Sequence, residues 1–246
     1  MTGLSDVESV GVLGERADTL AAFVKEHDRD AVTGDPTTVA SDTDLVVVDG
    51  ESALYDLVRA DANAPALVLG DVPGVPSVDW GRRANAMTHA LDGSAGVHSA
   101  PLLSVRADGE SYRALADTML VTDEPARISE YGVHAANETV DTVRADGIVA
   151  ATSTGSRGYG SAADGPVVAP GVDAVSVVPV APFRVDQSNW VLPLPTDLTV
   201  ERETADVVLL VDDREVATLD HDTTVRVDHG GTLPVVTTPE TTGFFD

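Results

Sequence analysis

Two short stretches carry the residues best suited to chemistry. The first, Asp44-Leu45-Val46-Val47-Val48-Asp49-Gly50-Glu51, is an apolar run that ends in a carboxylate and a glycine. The glycine frees the backbone for a sharp turn after the strand. Read without chemistry, Asp49-Gly50 is simply a turn after a buried strand. The second stretch runs Asp146-Gly147-Ile148-Val149-Ala150-Ala151-Thr152-Ser153-Thr154-Gly155-Ser156-Arg157-Gly158-Tyr159. It is an apolar strand ending in hydroxyls and glycines. Such a turn can offer N–H and hydroxyl donors to anionic oxygens, with Tyr159 available to stack on a base and Asp146 to accept from ribose hydroxyls or an amine. The competing reading is a Gly/Ser-rich hairpin connection with no ligand.

Other chemistries find little support. Ser156 lacks a glycine two residues before it, because Thr154 stands there, so the hydrolase nucleophile elbow is not met. His27, His89, His98, His134, His221 and His229 show no ligand spacing for a metal. Gly11-Val12-Leu13-Gly14 follows a strand pattern but lacks the third glycine of a dinucleotide fingerprint. Zero cysteines remove disulfides and thiolate chemistry and suit a cytoplasmic setting.

The elements that must position these residues change in texture near residue 93. Before it, strand and helix patterns alternate: Ser9–Leu13, Leu45–Val48 and Ala66–Leu69 as strands, Arg16–Glu26, Ala53–Arg59 and Trp80–Leu91 as helices. That alternation implies parallel strands with helical crossovers. Beyond it the chain is Val- and Thr-rich strand: Leu102–Ala107, Ala174–Pro179, Thr199–Glu201, Val207–Val211, Glu215–Leu219 and Thr223–Val227. The expectation is an α/β domain over residues 1–93 and a β-rich domain over 94–246, with the last residues free to return to the first.

Charge narrows the partners. Fifteen Lys and Arg stand against 41 Asp and Glu, a formal net charge of −26, and Lys25 is the only lysine. A surface of this sign repels phosphate backbones, which excludes nucleic acid as a partner. Acidity with scarce lysine fits a halophilic protein. No run of about 18 apolar residues is present and Met1–Val10 carries no basic segment, so neither a membrane span nor a secretory leader is expected.

The order of residues in the second stretch resembles the NAD kinase family, whose C-terminal domain carries D-G, then T-P-T-G-S-x-x-Y, then G-G-P-I. Asp146-Gly147, Thr152, Thr154-Gly155-Ser156, Tyr159 and Gly165-Pro166-Val167 match, while Ser153 replaces the proline and Asp164 the first glycine of the pair. Arg144 sits where the family has a basic residue. The likeness extends through Val178–Pro182 and Trp190-Val191-Leu192-Pro193 to Val211-Asp212-Asp213. It implies a two-domain NAD kinase-like fold, Rossmann-like then β-rich, with a dinucleotide bound in the cleft.

In the same family G-G-D-G-T ends a strand of the first domain. Asp49-Gly50 keep the centre of that motif, but Val47 and Val48 replace its glycines and Glu51 its threonine. Branched side chains would crowd a phosphate path, and Glu51 would bring like charge towards a tri-anion. The segment after Gly70, Asp71-Val72-Pro73-Gly74-Val75-Pro76, offers no counterpart of the family's L-G-F-L aromatic. For the family's N-E pair, Asn137-Glu138 lies only nine residues before Asp146 and reads as a hairpin turn between Tyr131–Ala135 and Thr139–Val143. Counting back past two strands gives Asp117, with Ala116 in place of the amide.

The resemblance implies ATP-dependent phosphorylation of the adenosine-ribose 2′-hydroxyl of NAD, with Asp49 as base and Mg²⁺ arriving with ATP. Gly50, Asp117, Arg144, Asp146, Thr154, Gly155, Ser156, Gly158, Tyr159 and Asp212 would then hold the nucleotides. A homo-oligomer would fit the family. A different reading is a relative that binds NAD(H) or NADP(H) without phosphorylating it, as a sensor or regulator. A lipid kinase sharing the glycine motif is a third.

Overall fold

The computed structural model describes residue 4 and residues 7–124, 127–184, 188–203 and 205–245. The expectation about Met1–Val10 therefore lies in part outside the described residues. Contacts divide the chain into two compact units, Met1–Ala100 with Thr232–Asp246, and Pro101–Gly231.

The first unit is an α/β layer. In chain order it holds β1 (Ser9–Gly14), α1 (Ala17–Glu26), β2 (Asp30–Thr33), α2 (Pro36–Ser41), β3 (Leu45–Asp49), α3 (Glu51–Arg59), β4 (Ala66–Leu69), a 3-10 turn at Trp80–Arg82 and α4 (Arg83–Leu91). The strands pair in parallel in the order β2-β1-β3-β4, and Val235 near the carboxy terminus adds a further parallel partner beside Ala66. Every residue of β3 and β4 is buried. That is why Leu45–Val48 and Ala66–Leu69 read as unbroken apolar runs, as strands covered on both faces do. The helices cover them with narrow apolar stripes, Leu20, Ala21 and Val24 on α1 and Ala86, Met87, Ala90 and Leu91 on α4.

Two elements, β2 and α2, have no sequence-based counterpart. Asp30–Thr33 is an edge strand with no fully buried residue, so it lacks an apolar signal. The short α2 is started by Asp35, whose side chain accepts from the Thr37 N–H at 2.9 Å, and by Pro36 in its first turn. The predicted helix Trp80–Leu91 opens as a 3-10 turn capped by Asp79, which accepts from the Gly81 N–H at 2.7 Å.

The second unit is a sandwich of two sheets. Its strands are β5 (Gly96–Ala107, entering the unit at Pro101), β6 (Glu110–Ala114), β7 (Asp117–Thr122), β8 (Ser129–Ala135), β9 (Glu138–Ala145), β10 (Gly147–Ala151), β11 (Val175–Val180), β12 (Trp190–Leu192), β13 (Thr196–Arg202), β14 (Val207–Val211) and β15 (Arg214–Leu219). The final strand, β16 (Thr224–Thr237), leaves the unit after Gly231. A short helix, α5 (Tyr159–Ala162), follows a 3-10 turn at Gly155–Arg157. One sheet pairs β12-β11-β10-β7-β14-β15, wholly antiparallel; in the other β13 lies between β16 and β8, with β9 outside β8.

Leu120, Ile148, Val177 and Leu209 from the first sheet meet Tyr131, Val133, Leu198, Val200 and Val225 from the second in one buried core. The turns follow their residues. Asp108-Gly109 (φ 49° and 85°) closes β5–β6, and Ala136-Asn137 (φ 53° and 64°) closes β8–β9, so Asn137-Glu138 is a hairpin corner as read. Strands β5 and β16 outrun the predicted Leu102–Ala107 and Thr223–Val227, because Gly96–Pro101 and Asp228–Gly231 lack the apolar alternation that marks a strand in isolation. Among the described residues no helix is long and apolar enough to cross a membrane.

Candidate functional site

In the first unit the order of strands reverses between β1 and β3, since β2 lies on the far side of β1. Open parallel sheets bind ligands in the crevice beyond the carboxyl ends at such a reversal. Gly14 and Asp49 are register partners at that point. Gly14 has φ 116°, and a Cβ there would stand 2.5 Å from the Asp49 carbonyl oxygen and 2.6 Å from its Cβ. Only glycine allows this approach. Gly50 (φ 93°) begins α3, leaving N–H groups of the helix start without an intrahelical partner. A cavity of about 630 Å³ lies here, lined among others by Gly14, Glu15, Arg16, Asp49, Glu51 and Asp56.

Asp49 does not face the cavity freely. Its Oδ2 accepts from the Arg16 backbone N–H at 3.0 Å and from Nε at 2.9 Å, and Oδ1 accepts from Nη2. The Asp49 side chain is 2% exposed, that of Arg16 45%. The Arg16 guanidinium lies 3.5 Å from the centre of the Trp80 ring, with Arg83 at 4.3 Å from the same centre. Its bond to Asp49 is the largest influence raising the Arg16 pKa above its ordinary value. Glu51 accepts from the Tyr55 hydroxyl at 3.0 Å. Val47 and Val48 are both buried strand residues and line no part of this cavity. Their side chains therefore do not crowd this cavity, and what covers Asp49 in it is the Arg16 guanidinium.

In the second unit the predicted residues form two adjoining groups. Residues 152–156 close onto the start of β7: the Thr152 N–H donates to the Ala116 carbonyl at 2.9 Å and its hydroxyl to the Leu115 carbonyl at 2.7 Å. Gly155 packs so tightly on Ala116 that any Cβ would clash with that carbonyl. Asp117, 9% exposed, begins β7 beside this loop, paired with Ala151. Asp212 accepts from the backbone N–H groups of Leu115 (3.0 Å), Ala116 (2.8 Å) and Asp117 (3.2 Å). Burial pushes its carboxyl pKa up to about 6 against the pull of those donors.

Thr154 is buried beside Ser156. Ser156 is fully buried, its hydroxyl donating to the Ser153 carbonyl at 2.7 Å and accepting from the Val168 N–H at 3.0 Å. Of the residues expected to touch a ligand, Ser156 bonds within the loop and to Val168, and Asp212 bonds to the backbone at the start of β7.

The second group surrounds a smaller cavity of about 300 Å³ lined by Tyr159, Ala162, Ala163, Asp164 and Pro179–Pro182. Tyr159 is 45% exposed there, just after Gly158. The Asp146 N–H donates to the Val180 carbonyl at 3.0 Å, and the Phe183 N–H to the Arg144 carbonyl at 2.8 Å, so both charged residues are tied to one wall of the cavity. The exposed Arg144 guanidinium lies 5.4 Å from the Phe183 ring centre.

This arrangement coincides with a known domain. Residues 115–236 match the family model of the ATP-NAD kinase C-terminal domain. Over those residues the chain carries a domain of the NAD kinase family. An NAD kinase of Methanosarcina mazei is 40% identical over 95 residues, 38% of this chain, and the chain spans about a third (33%) of that relative's length. A yeast NADH kinase complexed with NADH superposes with a TM-score of 0.82 at 19% identity, covering 96% of this chain and 85% of that one. An NAD kinase from Archaeoglobus fulgidus in complex with ATP gives 0.78 at 19% identity, covering 95% and 94%. At that identity the likeness establishes the two-domain NAD kinase fold.

Within the NAD kinase frame, sequence reasoning missed Arg16. The only signals were Gly14 at a strand end and one cation between Glu15 and Asp18. The acidic residues around the cavity do not form a metal cage, since no group of three or more His, Asp or Glu positioned for a metal occurs among the described residues.

Proposed function

We propose that this chain phosphorylates the adenosine-ribose 2′-hydroxyl of NAD with ATP as donor. The match of residues 115–236 to the ATP-NAD kinase C-terminal domain carries this reading. Thr154, Gly155, Gly158, Tyr159, Asp146, Arg144 and Asp117 hold the dinucleotide, with Ser156 and Asp212 fixing the loop that presents them. Tyr159 supplies a stacking face at the edge of its cavity, and Asp117 and Asp146 supply carboxylates for hydroxyl or amide donors.

Asp49 takes the hydroxyl proton as general base, and Gly50 leaves the start of α3 open to phosphate oxygens. Mg²⁺ would arrive with ATP and supply charge neutralisation of its phosphates. The cytoplasm is the compartment proposed for this reaction.

A second reading has its own observation. Asp49 is covered by Arg16, so a chain in which that cover never lifts would bind NAD(H) or NADP(H) without turnover, as a sensor. Formation of NADP from NAD and Mg-ATP, followed by a coupled NADP-specific assay in molar KCl, separates the two. Product proportional to enzyme, lost in Asp49→Asn, supports the kinase. Saturable NADP binding by calorimetry with no product supports the sensor.

A further inference from the structure

Among the described residues one neighbour supplies all the donors to the Asp49 carboxylate: Arg16, through its backbone N–H, Nε and Nη2. The carboxylate itself is 2% exposed, so the solvent-facing surface at this position is the guanidinium, not the acid. A hydroxyl cannot approach Asp49 within hydrogen-bonding distance while Arg16 lies there. We propose that Arg16 is a latch on Asp49, opened when a polyphosphate group in the adjoining cavity takes the guanidinium for itself. The biological meaning of the latch rests on the kinase reading, but its existence can be tested apart from it.

Three features make the latch exchangeable rather than a fixed strut. The Arg16 side chain is 45% exposed, and its Nη1 has no hydrogen-bond partner among the described residues, so donors remain to engage a newcomer before the carboxylate is released. The guanidinium also rests on the Trp80 ring at 3.5 Å, a contact that does not depend on Asp49 and can hold the side chain near the site after the ion pair opens. Finally, Glu15, Asp49, Glu51 and Asp56 line the cavity, and Arg16 is the only cation among its described lining residues. An incoming anion therefore has one attractive side chain to meet, and the planar fork of arginine fits phosphate as well as carboxylate.

Asp49 and the polyphosphate compete for one guanidinium. The ligand that must be present for transfer would then also be the one that exposes the base, which keeps the carboxylate masked when no donor is bound.

Competition makes a prediction opposite to ordinary loss of a site residue: removing the carboxylate strengthens anion binding. Isothermal titration calorimetry with tripolyphosphate and, separately, Mg-ATP would be run on the full chain at one ionic strength, for the natural protein, Asp49→Asn, Arg16→Gln and the double variant. The expected result is about tenfold tighter binding in Asp49→Asn, about tenfold weaker in Arg16→Gln, and no gain in the double variant. The same pattern with both probes supports the latch and shows that phosphates alone open it; the pattern with Mg-ATP only supports it with the nucleotide as key.

Unchanged or weaker binding in Asp49→Asn overturns the latch, as does undiminished binding in Arg16→Gln or no binding of either probe by any variant. Should Asp49→Asn fail to fold, Arg16→Gln decides alone. The pattern without NADP formation would overturn the kinase reading and leave the latch; NADP formation without the pattern would do the reverse.

Discussion

Asp49 in the first unit and Asp212 in the second are carboxylates sunk at the ends of strands, yet they are satisfied by different means. Asp49 takes its bonds from one residue, mainly through a side chain that is itself half in solvent. Asp212 takes three bonds from consecutive backbone N–H groups at Leu115, Ala116 and Asp117. A side-chain partner can swing away at the cost of one rotamer change; backbone donors can leave only if the strand start moves. The first arrangement suits a residue that must be released, the second a residue that must hold a loop. The same contrast runs through the neighbouring residues. The Thr152 and Ser156 hydroxyls bond to backbone groups of Leu115, Ser153 and Val168, whereas the Arg16 side chain beside Asp49 is half in solvent.

The hardest test of that contrast is Gly155→Ala. A Cβ there would collide with the Ala116 carbonyl, which belongs to backbone that Asp212 already pins. A loss of about 3 kcal/mol in unfolding free energy is expected from overpacking against rigid backbone, read from urea midpoints. Next comes Asp212→Ala, which strips an acceptor from three N–H groups and should cost about 3 kcal/mol. Asp49→Asn should cost clearly less in the same titration, because its partner Arg16 can turn to water. Equal losses would erase the distinction between the two carboxylates.

The pH dependence sharpens it further. Asp212 keeps its proton up to about pH 6 in the folded chain against an ordinary value of 3.8, so between those values the folded state binds more protons than the unfolded one. Its contribution to stability therefore grows as pH falls from about 6 towards 4 and is lost as pH rises through 6. Relative to Asp212→Asn, which cannot titrate, the natural chain should gain up to about 3 kcal/mol over that window, followed by denaturant titration at each pH.

Smaller effects follow inside the second unit. Ser156→Ala leaves the buried Val168 N–H without its acceptor and should cost about 2 kcal/mol in the same unfolding assay. Tyr159→Ala removes an exposed stacking face and no internal bond that is needed for folding. It should weaken NADP binding about fivefold by calorimetry while leaving the unfolding midpoint in place.

Much of the fold was legible because burial on both faces writes itself into composition. Leu45–Val48, Ala66–Leu69 and Val207–Val211 are apolar runs, and they are strands at almost those limits. The hairpin corner at Asn137 was also legible, since turn chemistry is local. Edge strand β2, short α2 and the long ends of β5 and β16 were not, because partners far along the chain, rather than their own periodicity, hold them in place.

At the candidate sites the residue types and their order were enough to single out Asp49, Gly50 and the stretch from Asp146 to Tyr159, because family motifs are linear. Which atoms are free was decided only in three dimensions. Arg16 reaches Asp49 across 33 positions and Asp212 reaches Ala116 across 96. Those pairings depend on strand register and on two close backbone approaches, at Gly14 and Gly155, that allow no side chain. Sequence therefore determined which groups could do chemistry. The tertiary structure decided which of them are masked, because hydrogen bonding and burial are properties of neighbours that the chain brings together only when folded.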